Sequence, residues 1–188
     1  MAINLNKGNS ISLEKTSPGL NNLHIGLGWD VDEQHGMDID CDVSVFMVND
    51  NYKIPADEYF VFFNNLTSKD GSVVHMGDNL TGEGEGDDEV INVNLSRVDG
   101  SVSQLMFVVT IHKAQEQGID FGMIENAFIR IENKDTGEEL CRYSLNNEFA
   151  GCDSVQVGRV YRYDREWHFE ALGDGYQGGL STLLEMYN

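Results

Sequence analysis

The chain is 188 residues long and 40% hydrophobic, and it carries 32 acidic against 12 basic side chains, a formal charge of −20. A chain of this length suits one domain over residues 1–188, burying roughly 70% of its unfolded surface, and its apolar content excludes wholesale disorder. The charge excludes nucleic acid as a partner, because no basic patch opposes the repulsion from phosphate.

The same excess repels itself in a compact state, so solvation or bound cations must offset it. Cys41, Cys141 and Cys152 are far apart and form no CxxC pair, which points to a reducing, cytoplasmic compartment. Met1 to Lys7 has neither the basic nor the apolar part of a signal peptide. No apolar run approaches the ~18 residues of a membrane span, so an integral membrane protein is not expected.

In chain order, the predicted elements are almost all strands. They are Leu23 to Trp29, Ile39 to Val48, Tyr59 to Phe63, Val90 to Leu95 and Leu105 to Ile111, then Phe128 to Ile131 paired with Leu140 to Leu145, and Val157 to Tyr163 paired with Trp167 to Ala171. Each run is short, rich in β-branched and aromatic residues, and bounded by Gly, Asn or Asp. YFVFF (59–63) and LMFVVTI (105–111) are apolar on both faces and are expected as central strands, covered on both sides. Helix is expected only at Lys113 to Gln117 and Leu180 to Tyr187. The pattern predicts an all-β fold, a two-sheet β-sandwich with a few short peripheral helices.

Two acidic clusters interrupt the strands. In Asp38-Ile39-Asp40-Cys41-Asp42 acid and apolar residues alternate, which on a strand puts the three carboxylates on one face about 6.6 Å apart. The second, Gly77 to Glu89 (GDNLTGEGEGDDE), has six acids, no base, and glycine at 77, 82, 84 and 86. Glycine lets the backbone turn carbonyls inward. Carboxylates with carbonyls suit a hard cation such as calcium, which takes about six to eight oxygens. Read alone, the run is equally compatible with a solvated acidic connection. It is not an EF-hand: counting from Asp78, the third, fifth and sixth positions are Leu80, Gly82 and Glu83, where that loop needs ligands and then glycine. Asn64 and Asn65 follow the YFVFF run and offer neutral oxygens.

At these residues the chain resembles the TerD family of tellurium-resistance and stress proteins. The resemblance rests on Gly26-Leu27-Gly28-Trp29-Asp30, Asp40-Cys41-Asp42, Phe62 to Leu66 (FFNNL), Val108 to His112 (VVTIH), Phe121-Gly122 with Ala127 to Arg130, Gly173 to Leu180 and, above all, the acidic Gly77 to Glu89 signature. Cys41 and Val43 depart from the family pattern, apolar for apolar. The resemblance implies a β-sandwich binding two calcium ions through loops at one end. It also implies a cytoplasmic role in tellurite and stress resistance, with Ter-type partner proteins and, for some members, work at the inner membrane surface. On this reading the ligands are Asp78, Asp87, Asp88 and Glu89, joined by Asp40, Asp42, Asn64, Asn65 and Asp30, with carbonyls near Gly82 and Gly84. Glu85, flanked by glycines, is expected to point to solvent.

Other chemistries have less support. Cys41 is expected to face the core and Cys141 lies in a strand, so neither reads as a tellurium ligand. The five histidines form neither HxH nor HExxH, so zinc has no basis. His75 is expected to feel the acidic loop, and His112 to be structural. No GxSxG, phosphate loop or dinucleotide fingerprint occurs, and Gly173 to Gly179 reads as a tight connection before the last helix. The expectation is a calcium-binding stress-response protein acting as a scaffold and not as a catalyst. The alternatives are a calcium-supported hydrolase using paired carboxylates and a calcium-dependent module docking on membrane surfaces through Met76 and Leu80.

Overall fold

A computed structural model describes residues 2–31, 39–77, 86–145 and 147–188. Its elements are β1 (Ile3–Leu5), β2 (Ser10–Ser12), α1 (Leu13–Thr16), β3 (Asn22–Val31), β4 (Cys41–Val48), β5 (Phe60–Val61), β6 (Val73–His75), β7 (Glu89–Asn94), β8 (Gln104–Ile111), α2 (Ala114–Gln117), β9 (Ile124–Asn133), β10 (Glu138–Leu145), β11 (Ser154–Tyr163), β12 (Glu166–Tyr176) and α3 (Gly179–Tyr187). The strands form two sheets in the orders β1-β10-β9-β3-β7-β6 and β2-β12-β11-β8-β4-β5. All pairings are antiparallel except β1 with β10. The expected two-sheet sandwich is the observed fold.

The core lies between the sheets. Leu23, Ile25 and Leu27 of β3, Ile91 and Val93 of β7 and Ile129 and Ile131 of β9 face Val43, Val45 and Met47 of β4 and Leu105, Phe107 and Val109 of β8. Strand β7 shows the alternation most plainly. Glu89, Ile91 and Val93 are buried, while Val90, Asn92 and Asn94 are half-buried on the outer face. Glu89 therefore points inward with the apolar residues. The β9–β10 and β11–β12 hairpins form as expected. Asp164 and Arg165 both have positive φ, 49° and 67°, the two-residue turn whose twist matches the strands it joins.

A second apolar layer covers the outer face of the β8 sheet. Phe46 and Val48 of β4, Phe60 of β5 and Met106 and Val108 of β8 pack against Leu183 and Tyr187 of α3. Strand β8 is thus central and covered on both sides, as its composition predicts. YFVFF is not central: only Phe60–Val61 is strand, and it lies at the edge of its sheet. It is apolar on both faces because Val61 enters the core while Phe60 lies under α3, stacked on Phe46 at 4.4 Å between ring centroids. Two further corrections are local. Strand β4 begins at Cys41 and not at Ile39, and Gly173 to Tyr176 belongs to β12 and not to a connection. Strands β1, β2 and β6, three residues each, are additions that the sequence reading lacks.

Candidate metal centre

Strand register brings the acidic segments to one end of the sandwich. In the first sheet Leu27 pairs with Glu89 and His75 with Ile91. In the second, Cys41 pairs with Ile111. Glu89 joins the two sheets here: the Val43 N–H donates to Glu89 Oε2 at 2.6 Å. Glu89 is 1% exposed, so an acceptor this deep requires such a partner. His75 Nε2 lies 3.6 Å from the same oxygen, its side chain fully buried. His75 Nδ1 accepts from the Gly77 N–H at 3.2 Å, which leaves the ring proton on Nε2, facing the carboxylate. The buried His75 ring therefore lies against the carboxylate of Glu89, the first residue of β7.

Asp88 is placed by its backbone, whose N–H donates to Leu27 O at 2.7 Å, and by its Oδ2, which accepts from the Trp29 N–H at 2.9 Å. Burial, together with the like charges of Asp30 and Asp87, pushes the Asp88 carboxyl above its ordinary range. Asp40 sits just before β4 and its carbonyl accepts from the His112 N–H at 2.8 Å. Asp42 is inside β4, turned away from Cys41, with its carboxylate 3.9 Å from His112 Nδ1. The Cys41 thiol, buried in the core as expected, is raised first by burial and then by Asp40, Asp42, Glu89 and Asp88. Each of these four carboxylates thus lies near enough to the thiol to act on it through its charge. Asp30 is exposed on β3 and accepts from Asn126 Nδ2 at 2.7 Å. Asn64 is exposed in the tight turn Phe62–Asn65, whose ends exchange backbone bonds of 3.1 and 2.9 Å, and Asn65 Nδ2 donates to Phe60 O at 2.6 Å.

Asp87 is held differently from its neighbours. Its Oδ1 accepts from Arg130 Nε at 2.7 Å, and its Oδ2 accepts from Arg130 Nη2 and lies against His24 Nε2, both at 2.8 Å. The side chain is 6% exposed and lies flat on the outer face of β3 over Gly26, where a Cβ would come within 2.2 Å of the carboxylate. Gly28 is similarly covered by the Phe128 ring. Burial alone would raise the Asp87 carboxyl, but the hydrogen bonds and charges of Arg130 and His24 hold it below the usual carboxylate range. Arg130 continues into Glu132 and Glu139, and Glu139 into Arg142. The sequence reading misses Arg130, 43 residues from Asp87. The available signal was a pair of glycines inside a strand, a mark of close approach by another group.

The donor set is oxygen-rich and fits a hard cation. Among the described residues, no three His, Cys, Asp or Glu side chains converge closely enough to hold an ion. Asp78, Gly82, Gly84 and Glu85 lie outside the described residues, as does Asp38 of the alternating cluster. Cys141 is also buried, and burial followed by Glu139 pushes its thiol to about 12, which makes it a poor nucleophile.

A family model described as the TerD domain matches residues 1–187. The chain belongs to the TerD family. It is 44% identical over 187 residues to the tellurium resistance protein TerD of Serratia marcescens, covering 100% of this chain and 97% of that one. To general stress protein 16U of Bacillus subtilis (strain 168) it is 46% identical over 188 residues, again covering 100% and 97%. Among solved structures, a telluride resistance protein (TerD) homologue from Streptomyces coelicolor A3(2) superposes with a TM-score of 0.71 at 22% identity, over 88% of this chain and 96% of that chain. At that identity the likeness concerns the TerD fold. Among the described residues no helix is long and apolar enough to cross a membrane.

Proposed function

We propose that this TerD-family chain is a cytoplasmic calcium-binding module that presents a surface to Ter-type stress-response partners and does not itself catalyse a reaction. The observation behind this is the strand register that brings Asp88 and Glu89 of the first sheet to the same end as Asp40 and Asp42 of the second, where the Val43 N–H donates to Glu89 Oε2 at 2.6 Å. Like charges so gathered repel, and a divalent ion relieves that repulsion. In this reading Asp30, Asp40, Asp42, Asp88 and Glu89 supply carboxylates. Asn64 and Asn65 supply amide oxygens, and Asp78 with the carbonyls near Gly82 and Gly84 complete two sites. Asp87 fixes the backbone that carries Asp88 and Glu89. Filling the sites orders segments that repel one another when empty, which makes the end a calcium-dependent binding surface.

Calorimetric titration of the metal-free protein with calcium tests the reading. Saturable binding that Asp88→Ala weakens and equimolar magnesium does not displace is the expected result. Heat no greater than that of dilution would defeat it. A membrane-docking reading draws on Leu66 and Met76, which are 43% and 58% exposed and adjoin His75, whose N–H donates to Leu66 O at 2.7 Å. Calcium-dependent sedimentation with anionic vesicles, abolished by Met76→Ser, distinguishes it from a protein partner.

A further inference from the structure

On the outer face of the β8 sheet, beside the acidic end, lies a cavity of about 350 Å³. Strand β8 turns Val109 and Ile111 into the core, so Thr110 between them faces outward and forms part of the cavity lining. Phe63, Ala114 of α2 and Leu180 of α3 supply apolar surface around it. The volume falls within the ~300–1,000 Å³ of small-molecule sites, which are mostly apolar and carry a few polar groups that fix the ligand's orientation.

Thr110 is such a polar group. The residue is 4% exposed, and among the described residues its hydroxyl has no hydrogen-bond partner. A hydroxyl buried without a partner costs free energy, and it can both donate and accept. A ligand oxygen reaching Thr110 takes the bond that water otherwise supplies.

The charged lining residues are engaged elsewhere or stand at the rim. Asp153 accepts from the Gly179 N–H at 2.8 Å, the Gly178 N–H at 3.1 Å, the Ser154 hydroxyl at 2.8 Å and Gln115 Nε2 at 3.4 Å. Lys113 and Glu116 are exposed and opposite in sign. Asp42 lies 3.9 Å from His112 Nδ1, and its side chain is 8% exposed, so a ligand in the cavity displaces little further water from that carboxylate. A charged ligand would give up its own hydration here without gaining a dedicated partner. A neutral one gives up little and buries its apolar body.

We propose that this cavity binds a small neutral molecule with a flat apolar body and one hydrogen-bonding oxygen. The body lies against Phe63, Ala114 and Leu180, and the oxygen bonds the Thr110 hydroxyl. The site is independent of the calcium reading.

The test is an NMR titration of the isotope-labelled full chain with chelator at physiological ionic strength. The probe is 2-phenylethanol, and phenethylamine and 3-phenylpropanoate are its cationic and anionic counterparts. Saturable binding of the alcohol is expected, with shifts centred on Thr110 to Gln115 and Gly178 to Leu180, about tenfold tighter than either charged analogue. Thr110→Val keeps the shape and removes the hydroxyl, and should weaken the alcohol about three- to tenfold. Phe63→Ala removes apolar contact and should weaken it about fivefold. Amide spectra that match the parent away from the cavity establish that each variant is folded, and if one is not, the other decides. The proposal is overturned if the alcohol shows no saturable binding, if its shifts centre elsewhere, if the amine or the carboxylate binds as tightly, or if a folded variant binds as the parent does. Every arm contains chelator, so failure of the calcium reading leaves this result standing, and failure here leaves the calcium titration untouched.

Discussion

Replacing Arg130 by alanine isolates the contact that holds Asp87. In the parent, the guanidinium makes two hydrogen bonds to that carboxylate, at 2.7 and 2.8 Å. The carboxylate is 6% exposed and the guanidinium 23% exposed. Removing one partner of a fully buried pair costs about 3 to 5 kcal/mol, whereas an exposed pair contributes under about 1 kcal/mol. A pair buried on one side and partly wet on the other falls between, so Arg130→Ala should destabilise by ~2 to 3 kcal/mol. For a chain of this length that is a melting-temperature loss of about 4 to 12 °C. Urea denaturation of the parent, Arg130→Ala, Asp87→Ala and the double variant measures it. The coupling energy of that cycle should exceed about 1 kcal/mol, because both single changes remove the same interaction. The pH dependence has a definite sign. The Asp87 carboxyl is held below its unfolded value, so its contribution is present above about pH 4 and is lost as pH falls through the folded value. Arg130→Ala should therefore lose part of the acid-dependent fall in stability. Additive single effects, or an Arg130→Ala loss under about 0.5 kcal/mol, would refute this account.

Three further outcomes follow from the same geometry. Gly26→Ala keeps an ordinary strand backbone but puts a Cβ within 2.2 Å of the Asp87 carboxylate, so it should cost about 1 to 3 kcal/mol in urea denaturation and little when Asp87 is already alanine. Asp153→Ala removes the acceptor of the Gly178 and Gly179 amides and should cost about 1 to 2 kcal/mol. Burial raises the Asp153 carboxyl, but hydrogen bonds from Gly179, Ser154, Gly178 and Gln115 hold it below its ordinary value. Its contribution should therefore also fade as pH drops below about 4, seen in melts of parent against variant. If calcium binds only the folded state, a hundredfold excess over Kd adds about 2.7 kcal/mol, so chelator should lower the melting temperature and added calcium restore it.

The fold was legible wherever a strand was long enough to show its period. Strand β7 alternates over six residues, and the hairpin partners β9–β10 and β11–β12 are separated by short polar turns. INL, SIS and VVH, the three-residue strands β1, β2 and β6, are too short to carry a period. YFVFF shows a different limit. An apolar residue on each face marks burial on each side, and a central strand and an edge strand under a helix meet that condition equally. Only the pairing of β5 with β4 alone, and α3 above Phe60, separate the two.

The candidate site was legible as composition but not as division of labour. The sequence presents Asp87, Asp88 and Glu89 as three equivalent acids, and the backbone makes them unlike. Asp87 and Glu89 are two residues apart and would share a face on an extended strand, but the backbone bends at Asp88 before β7 begins, so Glu89 points inward to the Val43 amide and Asp87 outward over Gly26 to Arg130. The consequence appears in their proton affinities, which are lowered at Asp87 and raised at Asp88. Arg130 and His24 answer the charge of the first. For the second, the Trp29 amide is outweighed by burial and by the charges of Asp30 and Asp87. On the proposed calcium reading, an ion would do most where the ionised carboxylate is held at a cost, which is at Asp88 and not at Asp87, whose charge Arg130 already answers.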